Sequence, residues 1–284
     1  MPEAVTLVLG GIGIKGAANI GALQALRDRN VQVKRIVATG ISSLAGAQYA
    51  LGGRLELLTD RLARFFSEHE RYIWGLEHVG GLLRRRPRGA GSLALFLRES
   101  LYCRDNFRRV SILPWGPVEA EMQDFFGDGA GRALTTPLAI SSVDLARGEE
   151  VLLEEEPLLD RLRAGIAFPG LFPPVPLGDR QLVSSSLYCE LPLGRVTDVD
   201  RPVLAIDFPA MLSDQRPRSI LEVIARVDEL RSVTIKERQL SKADRVLRLE
   251  GLGRFRWGSY AQLPELVDAA RRETDSLLGS RVVE

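Results

Sequence analysis

The chain is poor in several residues on which common functions rest. It has two Cys and two His among 284 residues. Cys103 and Cys189 lie far apart and match neither a metal-ligand spacing nor a disulfide framework, so no metal site and no secreted disulfide scaffold is expected. Charge of one sign is equally scarce: 38 basic side chains stand against 37 acidic ones, which leaves no global basic field for nucleic acid. Lys supplies only four of the 38, an Arg bias we assign to a GC-rich genome rather than to function. No apolar run approaches the roughly 20 residues that a membrane-spanning helix needs. Met1-Pro2-Glu3-Ala4 has no basic stretch of the kind that opens a secretory signal, and the expectation is a cytoplasmic protein.

What is present is 45% hydrophobic residues, enough for a sizeable core. Val5 to Leu9 is a β-prone run ending in Gly10-Gly11, Ala17 to Arg29 has helical spacing, and Val33 to Thr39 is a second β-rich run. Gly40-Ile41-Ser42-Ser43 and a small-residue helix from Leu44 to Leu51 follow. Strands alternating with helices argue for a parallel sheet covered on both faces. Residues 54–130 read as a helical insertion rich in Arg and aromatics, with Trp74 and the run Arg84-Arg85-Arg86-Pro87-Arg88. Strand signals return at 138–143, 150–153, 181–183 and 203–208, and helices at about 219–241 and 261–279. With no repeat and no linker, residues 1–284 are expected to form one domain.

Two stretches carry chemistry. Gly11-Ile12-Gly13-Ile14-Lys15-Gly16 satisfies G-x-G-x-x-G between a strand and a helix, where backbone N–H groups can approach a pyrophosphate or a transient oxyanion. Dinucleotide binding calls for an acid at the end of the second strand, and Lys34-Arg35-Ile36-Val37-Ala38-Thr39 has none. A nucleotide-binding α/β protein stays open, as does a purely structural tight turn. Gly40-Ile41-Ser42-Ser43-Leu44 stands where a nucleophile elbow belongs, but Leu44 replaces the second glycine of G-x-S-x-G. The plain alternative for Ser42 is a helix cap.

These two stretches, in this order, resemble the patatin-like phospholipase family. Three later blocks resemble it as well: Pro137 to Gly148, Ala164 to Val175 and Ser186 to Leu193. The resemblance implies a three-layer α/β fold, a central mainly parallel sheet between helices. It also implies a Ser–Asp dyad that hydrolyses acyl esters of lipids, with no cofactor and no metal. On it, Ser42 takes the nucleophile position and the Gly11, Ile12 and Gly13 backbone the oxyanion hole, with Lys15 as the basic residue beside it. Gly40 and Leu44 flank the elbow.

Where the family has Asp-Gly-Gly or Asp-Gly-Ala, this chain reads Ser184-Ser185-Ser186. A serine hydroxyl needs a positioned base to become a nucleophile, and Ser184 has no useful basicity near neutral pH. The expectation is therefore a catalytically dead or impaired relative that binds a lipid or acyl ligand or a protein partner. An active serine lipid acyl hydrolase using Ser42 with an unrecognised base is the alternative. His69 and His78 read as surface residues, Asp207 as a cap or turn residue, Asp179 as a hairpin turn, and Glu190 is the acid nearest Ser184 in sequence. Arg84, Arg85, Arg86 and Arg88 suit either a solvated helix face or peripheral contact with an anionic membrane.

Overall fold

The computed structural model describes residues 4–69, 110–209, 216–217, 220–255 and 260–280. Its centre is an eight-stranded sheet. β1 (Val5–Leu9) lies between β2 (Val33–Ala38) and β7 (Val203–Asp207), with β3 (Leu138–Asp144) beyond β2 and β8 (Arg245–Arg248) beyond β7, all five parallel. An antiparallel hairpin, β5 (Val175–Leu177) and β6 (Arg180–Ser184), extends the sheet past β3, and β4 (Glu149–Leu153) also pairs with β3.

The five parallel strands are apolar on both faces because both are covered. Leu7, Leu9, Ile36, Ala38, Ile140, Leu204 and Ile206 face the larger core, under α1 (Ala18–Asp28), α2 (Ser42–Ala50), α3 (Leu55–Glu68) and α7 (Leu263–Gly279). Val8, Val37, Ala139, Val203 and Ala205 face a thinner layer closed by Leu191, Leu193 and Leu240, the last at the end of α6 (Ile220–Leu240). This is the three-layer α/β arrangement with a mainly parallel sheet.

Two described helices lie at the two ends of residues 54–130. α3 buries Leu55, Leu58, Phe65 and Phe66, one stripe of an amphipathic helix. α4 (Gly116–Ala130) starts with Pro117 in its first turn, where the missing N–H costs nothing, and buries Met122 and Phe126. α5 (Leu158–Ile166) leads into the stretch with Pro169, Pro173 and Pro174 and seats the buried Arg161 on the Leu138 carbonyl at 2.9 Å. Trp74, His78, Cys103 and Arg84 to Arg88 lie outside the described residues. Among the described residues no helix is long and apolar enough to cross a membrane.

Candidate functional site

Register brings the two chemical stretches together. Ala38, the last residue of β2, pairs with Ile140, Ser142 two residues on pairs with Ser184, and Ser184 Oγ lies 3.5 Å from Thr39 Oγ1. At the carboxyl ends of β1 and β2, where ligands of parallel sheets bind, lies a cavity of about 120 Å³. Its floor is Gly11, Gly13, Gly40, Ser184 and Ser186, and its walls are almost wholly apolar: Leu44, Leu58, Phe65 and Phe66 on one side, Met122, Phe126, Phe168 and Phe172 on the other. Arg61 and Glu121 stand in the wall as an ion pair, Arg61 holding Asp124 as well.

The turn after β2 is sharp. Gly40 has φ +65°, the left-handed region that costs a side-chain-bearing residue strain. A Cβ at position 40 would stand 3.3 Å from the Ser186 Cβ and 3.6 Å from both the Ser186 hydroxyl and the Gly11 carbonyl, between the glycine loop and the hairpin end.

Ser42 lies elsewhere. It is the first residue of α2, fully buried, and its hydroxyl points at the Thr39 carbonyl (2.6 Å) and the Leu9 carbonyl (3.0 Å), tying the helix start to the end of β1. It is not in the cavity wall. Its hydroxyl is thus directed at backbone carbonyls and accepts no helix N–H. Leu44 does not crowd the helix–sheet contact but belongs to the wall. The close approach falls at Gly46, where a Cβ would meet Ile36 and Leu138 side-chain carbons at 3.2 Å.

The hairpin end is a cluster of hydroxyls that serve one another. Ser184 Oγ and Ser186 Oγ are 3.0 Å apart, and the Ser186 N–H donates to Ser184 Oγ. Ser185 Oγ reaches Thr39 Oγ1 at 2.8 Å and Ser141 Oγ at 2.7 Å, and Ser141 Oγ donates to Glu150 at 2.6 Å. Among the described residues, no carboxylate or imidazole is a hydrogen-bond partner of Ser42, Ser184 or Ser186.

The glycine loop is likewise committed. Gly11, at φ +113°, donates its N–H to the Glu190 carbonyl at 3.2 Å. Ile12 is extended and half-buried, outside the wall. Lys15 is buried with its ammonium on the Pro209 carbonyl at 2.8 Å, also outside the wall. Asn19, one helical turn on, donates to the Gly10 and Gly16 carbonyls and pins the loop to α1.

Behind the loop lies an ion network. The buried Lys236 sits 3.1 Å from Asp207, 3.4 Å from Glu190 and 2.5 Å from the Phe208 carbonyl, and Arg248 holds the other Asp207 oxygen at 2.8 Å. Burial raises the Glu190 pKa above the usual carboxylate range, with Lys236 acting against it. Asp207 and Glu190 are thus bound to cations and stand outside the cavity wall. His69 places Nδ1 on the Phe65 carbonyl and stacks on that ring, and Asp179 is an exposed turn residue paired with Arg147. Burial pushes the Cys189 thiol up to about 12, so it is no nucleophile at neutral pH. Sequence reasoning missed Lys236 and Tyr260, which no motif marks. It also missed the place of Gly40, for which the only signal was small residues on both sides of the turn.

A profile described as patatin-like phospholipase matches residues 7–194. An uncharacterized NTE family protein of Mycobacterium tuberculosis is 27% identical over 207 residues, covering 72% of this chain and 30% of that protein. A second from the same organism is 26% identical over 196 residues, covering 69% of this chain and 46% of that one. The chain therefore spans less than half the length of these relatives. Among solved structures, VipD from Legionella pneumophila aligns with a TM-score of 0.48 at 12% identity, over 98% of this chain and 67% of that one.

Proposed function

The chain belongs to the patatin-like phospholipase family, and we propose that it is a non-hydrolysing member whose cavity binds an acyl chain. The observation that carries this reading is Gly40. In a nucleophile elbow the attacking residue occupies the sharp turn between strand and helix, which aims its oxygen above the sheet. Here the residue in that turn is a glycine at φ +65°. Read in this register, Ala38-Thr39-Gly40-Ile41-Ser42 replaces G-x-S-x-G, with small residues kept at both ends and a glycine where the attacking serine would stand.

The second position fails with it. Ser184, whose hydroxyl lies 3.5 Å from that of Thr39 beside the turn, offers a neutral hydroxyl where a carboxylate would take the proton. Ser186 is the hydroxyl nearest a side chain at position 40, and its hydroxyl contact is Ser184. Losing a charged partner of a catalytic serine costs about 10⁴ in rate, and here the nucleophile is absent as well. The Gly11 N–H, already spent on Glu190, further weakens any oxyanion site.

What persists is the apolar chamber. Its volume is close to that of a cavity lined by Leu, Ile and Phe that stays dry and takes benzene, about 150 Å³, so it suits a short run of methylenes. The hydrolase alternative would need a base. The carboxylate in the described wall, Glu121, is held by Arg61. The nucleotide alternative would need a cation at the loop, and Lys15 turns to Pro209 instead.

The test pairs binding with turnover on the intact chain. A fluorescent fatty-acid probe should bind and be displaced by unlabelled acids, while p-nitrophenyl esters of short and medium acyl chains should hydrolyse no faster than in buffer. Turnover lost on Ser42→Ala or Ser186→Ala, or no acyl binding at any chain length, would overturn the reading.

A further inference from the structure

Charge stands at one end of the cavity. The inner wall is closed, with Leu58, Phe65, Phe66, Met122 and Phe126 all buried. The two charged residues of the described wall, Arg61 of α3 and Glu121 of α4, have side chains 25% and 32% exposed. Asp124, one turn further along α4, is 69% exposed. These three residues therefore mark the mouth, where α3 and α4 meet across the cavity. The guanidinium keeps donors in reserve there. Arg61 Nε serves Glu121 and Nη2 serves Asp124, while Nη1 has no hydrogen-bond partner among the described residues and keeps access to solvent. Its charge, in contrast, is more than balanced, because one cation stands against two carboxylates.

We infer that this mouth selects uncharged acyl compounds, amides and esters, over the free carboxylate, with Arg61 Nη1 donating to their carbonyl while the chain enters the apolar interior. A neutral carbonyl gains a charge-assisted hydrogen bond and gives up little hydration. A carboxylate must shed far more of its water. It gains little in return, since the pull of Arg61 is opposed by Glu121 and Asp124 only slightly farther away. Glu121 is an acceptor as well, which suits the N–H of an amide head. This inference rests on the acyl-binding reading above.

The experiment compares octanamide with octanoate, which share nearly one shape and differ in charge, by titration calorimetry at about pH 8, where the acid is ionised. Octanamide should bind the native chain about 5- to 30-fold more tightly than octanoate. In the double variant Glu121→Gln with Asp124→Asn the mouth becomes positive. Octanoate should then gain about tenfold or more, while octanamide changes by less than about threefold. Asp124→Asn alone, a change to an exposed side chain, should move octanoate part of the way. Equal affinities in the native chain would overturn this inference alone, as would a preference for octanamide that both variants leave intact. Failure of both compounds to bind the native chain would overturn it together with the acyl-binding reading.

Discussion

Two buried polar regions lie at either end of the short segment from Ser184 to Glu190, and they treat charge in opposite ways. At the Glu190 end, Asp207 and Glu190 keep their carboxylates in the interior because Lys236 and Arg248 are there to meet them. At the Ser184 end, beside the elbow, the described side chains are hydroxyls bonded to one another, with a carboxylate, Glu150, only at their edge through Ser141. A buried carboxylate without a cation is expensive. Catalysis bears that cost because a poised base requires it. The difference teaches that this interior holds buried carboxylates where cations meet them and tie down the loop. Gly40 follows the same logic, since a glycine relieves the backbone strain that a side chain in this turn would store.

The comparison can be broken most directly at its charged end. Lys236→Met leaves Glu190 unpaired and Asp207 with Arg248 alone, and should cost about 3–5 kcal/mol in chemical denaturation. A loss under about 1 kcal/mol would show that the network is not structural. At the neutral end, Ser184→Asp puts a carboxylate among hydroxyls and should cost about 2–3 kcal/mol near neutral pH. Its pKa would be raised in the folded state, so the deficit should be smallest in acid and grow as pH rises through that value. Denaturation curves at acid and mildly alkaline pH decide this. An equal loss at both would mean that the introduced group stays solvated.

Smaller effects sharpen the contrast. Gly40→Ala should cost about 1–3 kcal/mol, because the left-handed backbone strains an alanine and its Cβ would stand 3.3 Å from the Ser186 Cβ, close enough that the neighbour must give way. A loss beyond about 3 kcal/mol would place something else against that position. The smallest effect concerns Glu190, whose pKa is raised by burial. A raised acid holds its proton more tightly when folded, so its contribution falls as pH climbs from the ordinary Glu value, about 4.3, through the folded one. Glu190→Gln should remove that fall, whose slope cannot exceed about 1.4 kcal/mol per pH unit. An unchanged stability profile would assign the slope to other groups.

Much of the fold was legible because apolar runs in parallel strands and helical spacing are local signals. Val5–Leu9, Val33–Ala38 and Val203–Asp207 emerge within a residue or two of their expected bounds. The hydroxyl run Ser184-Ser185-Ser186 is a matter of residue type and can be read directly from the sequence. The elbow register cannot. Gly40-Ile41-Ser42 offers a glycine and a serine in the expected order, and only the backbone dihedral and the direction of the Ser42 hydroxyl show which residue occupies the turn. Tyr260 and Lys236 escaped for another reason. Each acts through partners distant in sequence, Phe66 for one and Glu190 and Asp207 for the other, and such pairing leaves no local trace.

The claim that Gly40, and not Ser42, stands at the nucleophile position is tested most directly by labelling with a serine-directed fluorophosphonate. The native chain and Ser42→Ala should remain unlabelled, while the double variant Gly40→Ser with Ser184→Asp should take up the label at position 40, as located by mass spectrometry of the peptides. Labelling of the native chain that disappears in Ser42→Ala would contradict the account and restore Ser42 as the nucleophile.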